Sequence, residues 1–211
     1  MQAQYVVFTK RAFNAIVTET LARNPIETGG IFLGYMLDNG IWVVVETIPP
    51  GIKTINEMAY FEYDTDFVNY LANVVAQQYK EQIQVLGLWH RHPGSYDVFS
   101  GIDDGTNRKF ANGTPEGCGA ISALVNCDPQ LRLSMFAVDR DVNYTPIPWI
   151  VDEGDIIPEN LLALRFEDAS NLPSPDRTIQ QQVKPQTETH DVVEPTDEEK
   201  PQNRFSRFFG R

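Results

Sequence analysis

The residues of this chain best suited to chemistry are two histidines close together in sequence, followed by a serine and an aspartate. His90 and His92 come directly after the apolar run 85–89, and Ser100 and Asp103 follow as S-x-x-D. Because side chains alternate along a strand, both imidazoles are expected on one face, where they can bind one ion. Two imidazoles and one carboxylate, with an open position for water, form the usual ligand set of a catalytic zinc site. His90, His92 and Asp103 are therefore the predicted metal ligands.

Each half of this pattern also has a purely structural interpretation. S-x-x-D before a helix is a capping box, in which Ser100 and Asp103 satisfy the first backbone N–H groups of the helix. A histidine at the end of a strand is often just hydrogen-bonded. The chain has only three histidines, however, and two of them lie shortly before this box. That combination favours a metal site over two unrelated structural features.

The order H-x-H-P-G, then S-G-I-D, then Thr106 resembles the JAMM motif of the MPN-domain (JAB-domain) zinc metalloproteases. That family also has an upstream glutamate in a segment E-x-x-G-I-x-L-G, which is similar to E-T-G-G-I-F-L-G beginning at Glu27 here. The resemblance covers roughly residues 5–150. One departure is Arg91, where eukaryotic members often have a small hydroxyl residue. On a strand, its side chain is expected to point away from the two histidines.

The resemblance implies an α/β fold of the α+β type, an MPN/JAB domain with a curved, mostly antiparallel mixed sheet flanked by helices. It implies a prokaryotic-type, deubiquitinase-like isopeptidase that uses Zn²⁺ to cleave amide bonds after ubiquitin-like proteins. It assigns Glu27 as the general base, although by itself Glu27 would pass for an ordinary surface glutamate near a helix end. Ser100 would donate a hydrogen bond to the oxyanion of the tetrahedral intermediate.

Hydrophobic periodicity and turn residues predict the elements that must position these side chains. The segment 49–57 is expected to be a loop, either a plain connector or a contact for the ubiquitin-like partner. The predicted strands are 5–8, 31–37, 41–48, 60–63, 85–89, 120–125, 131–138 and one within 143–150. The predicted helices are 10–23, 67–79, 102–111 and 158–166.

Composition divides the chain into residues 1–167, an MPN/JAMM metalloprotease domain, and residues 168–211, a disordered tail. The tail is acidic and polar, and it ends in the Arg/Phe-rich segment 203–211. This last segment is expected to be a docking peptide, a weak anchor to anionic surfaces or an uncommitted tail.

Charge restricts the partners. The net charge is −12, and residues 169–211 contain seven acidic and six basic side chains, so the other residues contribute −11. Such a body repels phosphate backbones and favours basic protein surfaces, which argues against nucleic acid as a ligand.

The two cysteines form no zinc-binding or disulfide pattern. No signal peptide or membrane-spanning run is evident, so a cytoplasmic location is expected.

Three functions are compatible with the sequence. The first is a zinc peptidase or isopeptidase that processes or deconjugates a ubiquitin-like protein. The second is an enzyme of the same fold acting on another amide, such as a small-molecule or sulfur-carrier adduct. The third is a binding module that keeps the fold without the activity. The filled ligand positions favour an enzyme over the third function.

Overall fold

The structure of the protein is a computed structural model that describes residues 2–58, 60–94 and 96–165. Ten strands and four helices are present among these residues. The strands are β1 (Tyr5–Phe8), β2 (Thr28–Met36), β3 (Ile41–Ile48), β4 (Ile55–Asn56), β5 (Phe61–Glu62), β6 (Gln84–Arg91), β7 (Ala120–Asn126), β8 (Arg132–Val138), β9 (Tyr144–Pro146) and β10 (Trp149–Val151). The helices are α1 (Lys10–Arg23), α2 (Thr65–Gln78), α3 (Gly101–Gly113) and α4 (Glu159–Leu162).

Eight of the strands form one curved mixed sheet in the order β10-β1-β3-β2-β6-β7-β8-β9. The β10–β1, β1–β3 and β6–β7 pairs are parallel, and the other four pairs are antiparallel. The predicted class, a mixed and mostly antiparallel sheet flanked by helices, is confirmed.

The sheet buries a hydrophobic cluster on each face. Helix α1 packs on one face through Ala12 and Ile16, next to Phe8 and Trp89. Helix α2 packs on the opposite face through Val68, Ala72 and Val75. Because both faces of the central strands are covered, these strands consist mainly of apolar residues rather than alternating with polar ones.

A β-bulge in strand β6 sets which side chains at the end of that strand face the functional site. Phe32 pairs with Gly87 but Leu33 pairs with Val85, so Leu86 is an extra residue in the ladder. Gly87 has a φ of +154°, and a Cβ there would lie 1.7 Å from the carbonyl oxygen of Ile121. Only glycine fits both constraints. Beyond the bulge, Leu88 faces the α2 side and Trp89 faces the α1 side.

Several predicted elements differ from the observed ones. Segment 49–57 is not wholly a loop, because it contains β4, which pairs with β5. The predicted strand 60–63 is shortened to β5, which does not join the main sheet. The single strand expected within 143–150 is two strands, β9 and β10, at opposite edges of the sheet. Proline at positions 146 and 148 separates them, since proline cannot donate to a ladder. The terminal helix is shortened to the single turn α4.

The predicted boundary at residue 168 and the tail 168–211 lie outside the described residues. Among the residues that the structure describes, no helix has the length and apolar character needed to cross a membrane.

Candidate metal centre

The two histidines of the motif lie side by side, as alternation along a strand predicts. His90 is the penultimate residue of β6 and His92 directly follows the strand. Their ring centroids are 4.7 Å apart in an edge-to-face arrangement. Both side chains are buried, with residue exposures of 8% and 7%. A pair of imidazoles held this closely at a strand end can contact one ion together.

Ser100 and Asp103 reach the histidines from the start of helix α3, and they form the capping box that was the alternative interpretation. Ser100 is the N-cap residue: its Oγ accepts the Asp103 N–H at 3.3 Å, and its own N–H donates to Asp103 Oδ2 at 2.6 Å. Asp103 is buried, and its Oδ1 lies 2.7 Å from His90 Nδ1. Its Oδ2 lies 3.2 Å from His92 Nε2. The same cap therefore aims a carboxylate at both imidazoles.

Glu27 joins this group from the neighbouring strand. It immediately precedes β2, whose Thr28 pairs with Arg91 and whose Gly29 pairs with His90. This register places the buried Glu27 carboxylate beside the histidines, with Oε2 3.4 Å from His90 Nε2. The structure thus brings together all five residues predicted from the sequence. No single stretch of sequence shows the contact of Glu27, because residues 27 and 90 meet only through the sheet.

The donor atoms fit a metal ion. Glu27, His90 and His92 each offer one ligand atom, and these atoms lie within 4.8 Å of one another. His90 Nε2 is buried without a hydrogen-bond partner among the described residues. A buried nitrogen left unsatisfied costs free energy, unless something outside the chain satisfies it. Imidazole nitrogen and carboxylate oxygen are ligands that zinc accepts. This group could therefore hold a metal ion.

Charges around the histidines hold Asp103 ionised. Burial alone would lower the pKa of His90, but the Asp103 hydrogen bond and the charges of Asp103 and Glu27 outweigh it and raise that pKa to about 8. Burial would raise the pKa of Asp103, but the two imidazoles outweigh it and hold this pKa well below its usual range. The carboxylates of Asp103 and Glu27 therefore favour a positive charge at the position of the histidines.

A cleft of about 700 Å³ opens above these residues. The residues that line it include Tyr60, Tyr96, Val98 and Ile102. These four apolar side chains are exposed to solvent. An apolar rim around a polar floor is typical of a site that binds a polypeptide or another partly apolar molecule.

Arg91, the departure from the motif, has a structural role that the sequence did not predict. Its side chain points away from the histidines, as alternation predicts, and is almost fully buried at 1% exposure. Nη1 donates to the Ile26 carbonyl oxygen and Nη2 to Asn24 Oδ1, both at 2.6 Å. These bonds fix the turn that leads into Glu27. Sequence gives no signal for them, because they join segments about 65 residues apart.

Glycine at position 29 allows the Phe61 ring to approach the centre. A Cβ at Gly29 would lie 2.7 Å from the Trp89 carbonyl oxygen and 3.0 Å from a ring carbon of Phe61. The Phe61 ring packs against the His90 ring at a centroid distance of 5.4 Å. Phe61 therefore covers His90 from the side of the β4–β5 hairpin.

The curved mixed sheet with two carboxylates and two histidines at one strand end defines a JAB/MPN-type domain with a candidate metal centre. A family model described as prokaryotic homologs of the JAB domain matches residues 9–138, more than half of the chain. The chain belongs to this family. Among solved structures, a protein from Desulfitobacterium hafniense, determined in solution, is similar with a TM-score of 0.52 and 16% sequence identity. The match covers 70% of this chain and 93% of that one, and it shows the fold alone. No curated protein matches the chain.

Proposed function

We propose that the protein is a zinc-dependent peptidase or isopeptidase that hydrolyses the amide bond after the glycine-rich C-terminal tail of a ubiquitin-like protein. The observation that carries this proposal is the convergence of Glu27, His90, His92 and Asp103 on the floor of one cleft. Membership of the JAB family supports it. Family membership alone is compatible with an inactive binding module, whereas a complete set of buried donors favours a hydrolase.

We assign His90, His92 and Asp103 as the ligands of the ion and Glu27 as the general base. Asp103 approaches both imidazoles, so its carboxylate lies where the two histidines can share an ion with it. The Glu27 carboxylate lies near both histidines, with Oε2 3.4 Å from His90 Nε2, and we propose that it contacts a water molecule in the cleft rather than the ion. A zinc ion held by these ligands would supply Lewis-acid activation of water near neutral pH.

Glu27 is proposed to perform the proton transfers. Its carboxylate takes a proton from the water whose oxygen attacks the carbonyl carbon of the scissile amide. It then gives that proton to the leaving nitrogen as the C–N bond breaks. The products are a free carboxylate at the terminal glycine and a free amine.

Ser100 is proposed to stabilise the negative charge on the substrate carbonyl oxygen. Its oxygen accepts the Asp103 N–H, which leaves its own proton free for donation, and the residue is exposed at the wall of the cleft. Capping and oxyanion stabilisation are thus compatible in one side chain.

Ser100→Ala is expected to lower kcat by about a hundredfold, or ~3 kcal/mol, because a donor to the developing oxyanion is lost. Metal content should stay at the wild-type value. Ser100→Thr, which retains a hydroxyl and a cap, is the matched control and should keep most of the activity. If Ser100→Ala and wild type turn over at the same rate, Ser100 is only a helix cap.

The substrate class follows from the cleft and from the charge of the protein. The rim residues Tyr60, Tyr96, Val98 and Ile102 provide exposed apolar side chains around the cleft, which suits a protein partner. Tyr60, Phe61 and Glu62 of the β4–β5 hairpin line the cleft, and segment 49–60 is proposed to pair with an extended tail. Residues 1–168 contribute −11 of the net charge, which suits a partner with a basic face.

We expect cleavage of a ubiquitin-like protein ending in Gly-Gly, fused to a reporter, to slow several-fold in kcat/KM between low and high salt. Screening weakens the encounter of opposite charges and leaves bond breaking unchanged, so kcat should change little. The control is the same tail as a short free peptide, which should be cut far less efficiently at low salt. Equal cleavage of peptide and fusion would overturn recognition of a folded partner and would favour a hydrolase of small amides.

A further inference from the structure

We infer that Asn56, in the β4–β5 hairpin, is a positioning residue for Glu27. This inference rests on the proposed role of Glu27 as the base. The main sheet does not hold the Glu27 backbone, because the β2–β6 ladder begins one residue later, at Thr28. Instead, the Asn56 Nδ2 group donates to the Glu27 carbonyl oxygen at 2.8 Å, and the Glu27 N–H donates to the Glu57 carbonyl oxygen at 3.1 Å. Two adjacent hairpin residues thus hold both peptide groups of Glu27.

The hairpin that makes these bonds is a separate unit. β4 and β5 pair with each other and not with the eight-stranded sheet. Its contacts with the body include the Phe61 ring against His90 and the Lys53 N–H bond to Asp64. Any displacement of this hairpin would be passed through its two bonds to the Glu27 backbone, and so to the carboxylate beside His90.

The hairpin and the residues just before it expose apolar side chains to solvent. Ile52 is 88% exposed and Met58 is 56% exposed, and Ile55 and Tyr60 are exposed as well. A protein substrate that covers these side chains would fix the hairpin, and through Asn56 it would fix the carboxylate of Glu27. Contact with the partner and placement of the base are therefore linked by two hydrogen bonds. This link favours the cleavage of a docked protein over the cleavage of a small amide.

Asn56→Ala is expected to lower kcat about tenfold on a ubiquitin-like protein joined through Gly-Gly to an aminocoumarin, with KM changed less than twofold. A displaced base slows the chemical step more than it weakens binding. Zinc content should equal that of wild type, and the melting temperature should shift by only a few degrees, because Asn56 is half-buried near the surface. Asn56→Asp, which has the same shape without the donor, should give the same loss.

Asn39→Ala is the matched control. It removes another asparagine side chain that bonds the backbone, through the Ile41 N–H bond to Asn39 Oδ1 in the β2–β3 turn, and it leaves both bonds to Glu27 in place. Its kcat should remain within twofold of wild type. If Asn39→Ala reduces kcat as much as Asn56→Ala, the loss reflects general loosening of the fold and the assignment of Asn56 is wrong.

Hydrogen exchange gives a readout that does not depend on activity. The Glu27 amide should exchange about tenfold faster in metal-free Asn56→Ala than in metal-free wild type, and at the wild-type rate in Asn39→Ala. Unchanged exchange at Glu27 in Asn56→Ala would contradict the link.

A double-mutant cycle with Glu27→Gln separates this inference from the proposed function. If Asn56 acts through Glu27, adding Asn56→Ala to Glu27→Gln should cause no further loss of the residual activity. A further tenfold loss would show that Asn56 acts elsewhere and would overturn the inference. If Glu27→Gln itself retains full activity, the proposed base is wrong, which is a separate outcome from the cycle.

Discussion

Replacing His90 and His92 together with alanine is expected to abolish both metal binding and turnover. The two imidazoles are buried side by side and supply two of the proposed ligands, so their removal leaves Asp103 and Glu27 without a nitrogen donor. Two carboxylates alone do not form a typical zinc site. The zinc content measured by elemental analysis should fall from one ion per wild-type chain to less than a tenth of an ion in the double variant. A ubiquitin-like protein joined to a reporter should then be cleaved at the rate seen without enzyme.

The third histidine provides the control for this result. His190 belongs to the tail and is not a predicted ligand, so His190→Ala should keep the wild-type zinc content and rate. Circular dichroism should show that the double variant stays folded, because the helix cap of Ser100 and Asp103 remains. A folded double variant that retains one zinc per chain would overturn the assignment of these ligands.

Glu27→Gln should retain zinc and lose turnover by a hundredfold or more. Glutamine has the same shape but cannot accept the proton of the attacking water at neutral pH. Zinc content and kcat measured on the same sample separate a base from a ligand: a base loses rate only, whereas a ligand loses zinc as well.

Asp103→Asn is the companion variant for this test. As a proposed ligand, Asp103 should lose zinc when it is neutralised, together with the activity. If Glu27→Gln is the variant that loses zinc and Asp103→Asn keeps it, the two carboxylates exchange roles. If Glu27→Gln turns over normally, the base lies elsewhere. Asp104 would then be the next candidate, although its carboxylate already accepts the Tyr144 hydroxyl at 2.7 Å.

The part of the site that local rules determine could be predicted from the sequence. Alternation along β6 places His90 and His92 on one side and Arg91 on the other, and S-x-x-D places Asp103 on the first turn of α3. Both are consequences of backbone geometry within a few residues. The resemblance contributed Glu27, because its contact with His90 depends on the β2–β6 register and not on any local pattern.

The contacts that hold Glu27 could not be predicted in this way. These contacts join residues that are 29 to 67 positions apart in sequence. They are the bonds from Arg91 to Asn24 and Ile26 and the bond from Asn56 to Glu27. β4 is only two residues long, so hydrophobic periodicity has nothing to detect. The division of segment 143–150 between two sheet edges depends on parallel pairing of β10 with β1, which is also long-range. Sequence predicts the groups that do chemistry, and tertiary packing determines how they are held.

The most direct test of a metal-dependent hydrolase is cleavage of the Gly-Gly aminocoumarin reporter as zinc is added back to metal-free protein. We expect no cleavage at zero zinc and a rate that rises linearly to one equivalent per chain and then levels off. The Glu27→Gln protein should bind the same equivalent and remain at least a hundredfold slower. Cleavage by the metal-free protein at the full rate, undiminished by a chelator, would show that hydrolysis does not depend on a metal ion.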